Sequence, residues 1–189
     1  MNKPYFCYHG LETEIETSII FAYLDAQNLR FWVIVEGSEM EVDDMGDAAP
    51  RLYIEDLVPI PVKVNCLADF FPFDAASQSN AWVKMAVYGE FDSSRKHEFL
   101  ISLDGNGICL QFTGAFEMQP GSISSVDIKT RLEFVGIVAQ TESSEEAVSW
   151  LASHFSTQAL RSIEISDRRK LAYLTGGSRL IRFQFKTAF

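Results

Sequence analysis

The stretch HEFLISLDGNGICLQFTGAFEMQ, residues 97–119, decides the fold class of this chain. Apolar residues occupy every second position on both sides of residues 104–107: Phe99, Ile101, Leu103, Ile108, Leu110 and Phe112. The intervening Asp-Gly-Asn-Gly sequence supplies residues that reach the positive φ values of a tight reversal. The stretch therefore predicts a β-hairpin at the centre of an antiparallel sheet.

The neighbouring segments extend this sheet. Residues 81–91 predict a further strand ahead of the hairpin, and residues 126–138 alternate apolar and charged side chains as a half-buried strand does. Residues 12–24 fit both the two-residue period of a strand and the period of one face of a helix. We favour a strand there, because β-branched and aromatic residues dominate its second half, and a helix is the alternative. Residues 29–35 predict the strand that follows.

A single helix is expected. Ser143 and Glu146 have the spacing of a capping box, and the acidic residues lie where the helix dipole favours negative charge. This start predicts a helix at about 144–156. We therefore expect an α+β fold, dominated by antiparallel sheet in hairpins and meanders. A length of 189 residues fits one globular domain over 1–189, with residues 70–80 as the candidate subdomain boundary.

The sequence does not match the motifs of known catalytic and metal sites. Cys7 and His9 would lie on one side of a strand, but zinc needs three or four ligands and no second paired motif accompanies them. An EF-hand alignment with Gly46 at its sixth position puts Met45 and Leu52 where ligands belong. We predict no catalytic residue, no metal site and no cofactor, which favours a binding protein over an enzyme. A thiol nucleophile assembled from a distant cysteine and histidine stays an alternative.

The sequence also predicts the cellular compartment of the protein. The three cysteines are widely spaced and do not indicate a disulfide framework. The apolar stretch 18–24 is far shorter than the roughly twenty residues of a membrane-spanning helix, and no signal peptide is recognisable. We therefore expect a cytoplasmic protein without a membrane anchor.

Trp32, Trp82 and Trp150 lie within apolar patterns and are predicted to be core residues.

Negative charge is concentrated in the first third of the chain. Residues 1–60 hold twelve acidic and three basic residues, a net charge of −9, out of a formal −10 for the whole chain. Such crowding predicts an exposed loop over residues 36–49. The predicted partner-binding residues are the acidic ones of this segment: Glu36, Glu39, Glu41, Asp43, Asp44 and Asp47. Nucleic acid is a poor partner for the chain as a whole, because the net field repels phosphates.

These features indicate a non-enzymatic acidic domain that docks a basic protein partner. A cytoplasmic inhibitor or immunity-type protein is a natural member of that class, because an acidic surface steers association with a positively charged cleft. One alternative is a small-molecule-binding protein, or an enzyme of unrecognised type, whose phenylalanines line a cavity inside a curved sheet. The last stretch of the chain, residues 170–185, predicts a basic hairpin around Gly176 and Gly177. Another alternative is a homo-oligomer in which the acidic first third of one copy meets this hairpin of a second copy.

Overall fold

The computed structural model describes residues 3–25, 28–41, 46–61, 75–76, 81–87, 90–105, 107–119, 121–140, 143–154, 160–167 and 178–185. The chain is nearly all β. Its strands are β1 Tyr5–Tyr8, β2 Leu11–Thr13, β3 Ile15–Asp25, β4 Asn28–Gly37, β5 Met40–Glu41, β6 Asp47–Ala48, β7 Arg51–Pro61, β8 Ala75–Ala76, β9 Trp82–Val87, β10 Glu90–Asp104, β11 Gly107–Gln119, β12 Ser122–Gln140, β13 Leu160–Asp167 and β14 Ser178–Phe185. Within these ranges one helix occurs, α1, at Ser144–His154.

Seven of these strands form a closed barrel. Their order around the ring is β3, β4, β7, β9, β10, β11 and β12, and β12 pairs with β3 to close it. The predicted hairpin is confirmed, because β10 and β11 pair antiparallel from Phe99 opposite Phe112 down to Asp104 opposite Gly107. β11 then pairs antiparallel with β12. The segment 12–24 is confirmed as strand, since it falls in β2 and β3.

The predicted α+β class is wrong. The capping prediction itself holds, because the backbone N–H of Glu146 donates to the Ser143 hydroxyl over 3.1 Å, yet the helix that follows spans only eleven residues. The sheet, by contrast, closes on itself through a long-range pairing that local periodicity does not reveal. At that closure the Ser18 hydroxyl donates to the backbone oxygen of Arg131 over 2.5 Å. No helix of the described ranges is long and apolar enough to cross a membrane.

The chain divides into two compact units. The barrel unit consists of Met1–Ile20, Trp32–Leu57 and Phe73–Phe134, and the second unit consists of Phe21–Phe31, Val58–Pro72 and Val135–Phe189. The barrel unit holds segments of all seven barrel strands. In the second unit β14 pairs with the end of β12, with Ile181 opposite Ile137, and β13 pairs with β14. The single domain and its boundary near 70–80 stay predictions, and only Ala75–Ala76 of that boundary lie within the described residues.

The interior of the barrel unit is aromatic. Phe6, Phe112 and Phe116 are fully buried, and each such ring stabilises the fold by about 1.5–3 kcal/mol through loss of contact with water. Gly114 makes room for two of these rings, because a Cβ there would lie 2.7 Å from Cζ of Phe112 and 3.3 Å from Cε2 of Phe116. These rings are packed core, which differs from the cavity-lining role that the small-molecule alternative gives them. His97 stacks on Phe112 with ring centroids 6.5 Å apart.

The prediction that Trp82 is a core residue is wrong. Its side chain is 63% exposed on β9, although Val83 and Met85 beside it are buried. The ammonium of Lys84 lies 5.4 Å from the centroid of the Trp82 ring. Trp32 is half-buried, and the side chain of Trp150 lies outside the described residues. An apolar residue within a strand pattern therefore does not report by itself which face it occupies.

Candidate functional site

Six exposed carboxylates form an acidic surface on the barrel unit: Glu12, Glu14, Glu16, Glu39, Glu41 and Asp47. The first three alternate with the half-buried Thr13 and Ile15. Because successive side chains of an extended chain point to opposite faces, this alternation directs three carboxylates to the outward face. The other three lie on and beside the β5–β6 hairpin.

Backbone contacts join the two halves of the acidic surface. The N–H of Ser38 donates to the backbone oxygen of Glu14 over 2.8 Å, and the Thr13 hydroxyl donates to the backbone oxygen of Ser38 over 3.1 Å. Across the hairpin that follows, Glu41 lies directly opposite Asp47. Like charges at directly opposed positions of an antiparallel pair repel each other. A cation that approaches this pair would relieve that repulsion.

The acidic surface differs from neighbouring carboxylates in having no cationic partner among the described residues. Within the described chain, none of its six members forms an ion pair. Glu36, in contrast, is ion-paired with Arg51. Burial opposes the charge of that guanidinium, but the hydrogen bond and the charge of Glu36 outweigh it and raise the pKa of Arg51. Glu55 accepts a 2.9 Å hydrogen bond from Lys84. No described cation therefore offsets the charge of the acidic surface by a direct ion pair.

The predicted partner-binding residues are divided by the structure. Glu39, Glu41 and Asp47 belong to the acidic surface, whereas Glu36 is neutralised by Arg51. Asp43 and Asp44 lie outside the described residues. Sequence reasoning missed Glu12, Glu14 and Glu16. The available signal was their spacing of two, which assigns them to one face of a strand.

A second feature is a concave region on the outward face of β1, β10, β11 and β12, which we call the outer groove. It consists of two adjoining cavities of about 700 Å³ and about 450 Å³ that share Gln111 and Lys129. In the larger cavity the Tyr5 hydroxyl donates to Oδ1 of Asp127 over 2.9 Å. This hydrogen bond raises the pKa of Tyr5 above its ordinary value, so the phenol stays a donor. The outer groove is thus a concave surface that combines polar and apolar side chains.

The thiols and the histidines give no metal centre in the part of the chain that the structure describes. There, no group of three or more His, Cys, Asp or Glu side chains could hold a metal ion. Cys7 and Cys109 are free thiols. His97 accepts or donates a 2.9 Å hydrogen bond with the Ser94 hydroxyl, and burial lowers the pKa of its ring. Its stacking on core aromatics indicates a structural role.

Comparison with protein-family models, with curated proteins and with solved structures gives no match for this chain. A functional conclusion must therefore rest on the residues themselves, and the acidic surface and the outer groove are the two features that offer one.

Proposed function

We propose that this chain is a non-enzymatic binding domain whose acidic surface docks a basic protein partner. The observation that carries this proposal is the set of six exposed carboxylates that lack an ion-pair partner among the described residues. An inhibitor or immunity-type protein acts in this way, because it covers a positively charged cleft of its target. The cytoplasm is the proposed compartment, and the free thiols of Cys7 and Cys109 fit a reducing environment.

The arrangement suits a protein partner better than a single small cation. The acidic surface extends over two strands and a hairpin, which is the format of a docking face with several separate cationic contacts. Uncompensated charge raises the rate of encounter with an oppositely charged partner. Contact with lysines or arginines would also remove the repulsion between Glu41 and Asp47. The first effect speeds association, and the second favours the bound state over the free state.

Affinity capture with charge-reversed bait tests the proposal. The test variant is E39K/E41K/D47K, which reverses three exposed positions of the acidic surface. The matched control is E98K/E133K/E145K, which makes the same change in net charge at exposed carboxylates elsewhere. We expect wild type and control to recover the same basic protein at 0.15 M salt, and the test variant to lose it. Recovery of that protein by the test variant at wild-type yield would overturn the proposal.

Fold integrity is checked on the same samples. All six substitutions replace exposed side chains on the surface, and such changes usually alter stability by no more than about 0.5 kcal/mol. Glu145→Lys also loses a favourable interaction with the dipole of α1, which adds about 0.3–1 kcal/mol to the cost of the control. Thermal unfolding of the test variant and of the control should therefore match that of wild type within a few degrees. Purified partner is then titrated directly against each variant, so that loss of capture is assigned to binding and not to expression.

A further inference from the structure

The outward-facing side chains of β10, β11 and β12 stand in register and form rows across the sheet. One row contains Ser102, Cys109 and Arg131, and the next contains Leu100, Gln111 and Lys129. β1 extends the second row, because Tyr5 lies opposite Lys129 on the other side of β12. The smaller cavity of the outer groove, about 450 Å³, lies over these rows. That volume is within the range of pockets that hold small molecules, roughly 300–1,000 Å³.

Cations converge on this smaller cavity. Lys3, Lys129 and Arg131 line it, and Asp104 is the one carboxylate among its described lining residues. In the described ranges neither Lys3 nor Lys129 forms an ion pair. Asp127 lies on the same face of β12, and its carboxylate accepts a hydrogen bond from the Tyr5 hydroxyl. Positive charge therefore collects in one cavity of a chain whose formal net charge is −10.

Charged and neutral polar groups lie side by side in this cavity. Lys129 and Arg131 are two residues apart on one strand and point to the same face, so their like charges lie close together. Neutral donors stand beside them, since Gln111 is directly opposite Lys129 and the Ser102 hydroxyl also lines the cavity. Pro4 adds an apolar wall. Cationic groups, neutral donors and one apolar surface together match an organic anion.

We propose that the smaller cavity of the outer groove binds a small organic anion that carries a carboxylate or a phosphate. Lys129 and Arg131 hold the anionic group, Gln111 and Ser102 donate hydrogen bonds to it, and the organic part packs against Pro4. Lys3 closes the site from the segment ahead of β1. This site uses other residues than the acidic surface, from which β1 divides it, since Cys7 of β1 lies between Glu12 and Asp127. It does not depend on the protein partner proposed above.

Calorimetric titration with simple aromatic probes tests the site. The probes are phenyl phosphate, benzoate and the uncharged benzyl alcohol, each added to wild type at low salt. We expect one or both anions to bind and benzyl alcohol not to bind. The anion that binds shows whether the site takes a carboxylate or a phosphate. Absence of binding by both anions, or equal binding of benzyl alcohol, overturns the proposal.

Variants locate the binding within the chain. Lys129→Gln removes one charge but keeps an aliphatic stem, and we expect it to weaken anion binding roughly 10- to 100-fold. Lys3→Gln, ahead of the first strand, provides a second test if the substitution on β12 impairs folding. Lys96→Gln is the matched control, because Lys96 is exposed on β10 and does not line the cavity. Unchanged affinity in both Lys129→Gln and Lys3→Gln overturns the assignment, whereas capture of a protein partner is unaffected by either.

Discussion

The acidic surface and the smaller cavity of the outer groove lie on one barrel unit but arise from the sequence in opposite ways. The acidic surface comes from two stretches close in sequence, residues 12–16 and 39–47. The cationic cavity joins Lys3 to residues 129–131, and only the pairing of β1 with β12 brings them together. Local crowding of charge can be read from a sequence, whereas charge assembled by strand register becomes visible only in the fold.

The two regions also differ in what they can bind. The acidic surface is exposed and carries charge of one sign, which suits a second protein surface. The cavity is concave and surrounds its charge with neutral donors, which suits a small ligand. If this distinction is correct, a substitution in one region changes its own ligand and leaves the other unchanged. The predictions below test it, from the largest expected effect to the smallest.

Charge reversal of the acidic surface should have the largest effect. We expect E39K/E41K/D47K to weaken binding of the captured partner by roughly 100-fold, about 2.7 kcal/mol, because attractive contacts become repulsive ones. Lys129→Gln should leave that affinity within a factor of about two. Titration of purified partner at 0.15 M salt measures both. Equal weakening by the two variants would contradict the separation of the regions.

Gly114→Ala should destabilise the sheet that supports the outer groove. The new Cβ would lie 2.7 Å from Cζ of Phe112 and 3.3 Å from Cε2 of Phe116, and both rings are buried. Overpacking of this kind costs about 1–3 kcal/mol. Urea unfolding measures the loss, and partner capture well below the unfolding midpoint should persist. An unchanged midpoint would show that the rings move without cost.

His97 should make stability depend on pH. Burial lowers the pKa of its ring from the ordinary 6.5, so the unfolded chain binds the proton more tightly than the folded one. The free energy of unfolding is then unaffected by this group above pH 6.5, and it falls as the pH decreases from 6.5 towards the folded pKa. Between pH 7.5 and 5.5 we expect His97→Gln to lose less stability than wild type. If wild type and His97→Gln lost the same free energy of unfolding over this pH range, a contribution from His97 would be excluded.

Removal of the repulsion across the β5–β6 hairpin should have the smallest effect. Asp47 lies opposite Glu41, and Asp47→Asn should raise the free energy of unfolding by about 0.2–1 kcal/mol. Glu39→Gln removes the same charge ahead of β5, outside the paired positions, and serves as the control. Chemical unfolding at low salt compares the two variants. A larger gain for Glu39→Gln would mean that the opposed pair is not the source of strain.

The sequence predicted the local parts of the fold and missed its closure. Alternation around residues 104–107 located the β10–β11 hairpin, because each strand pairs with its neighbour in sequence. The closed barrel depends on β12 meeting β3, and no local pattern specifies a pairing across that separation. The α+β class followed from giving one short helix the weight of a structural layer.

The candidate site shows the same limit at the level of single residues. Glu39 and Glu41 were recognised from crowded charge, but Glu36 has an equal place in that crowd and is paired with Arg51. Sequence spacing does not show which carboxylate meets a guanidinium on the next strand around the barrel. Trp82 was assigned to the core on its apolar surroundings, and strand register turns it outward instead.

Zero-length cross-linking of the complex tests the central proposal most directly. A carbodiimide joins a carboxylate to a lysine only when the two side chains touch, so the linked peptides identify the docking residues. We predict cross-links from Glu39, Glu41 or Asp47 to lysines of the partner, with their yield falling at high salt. Cross-links confined to carboxylates outside the acidic surface, such as Glu98, Glu133 or Glu145, would contradict the account.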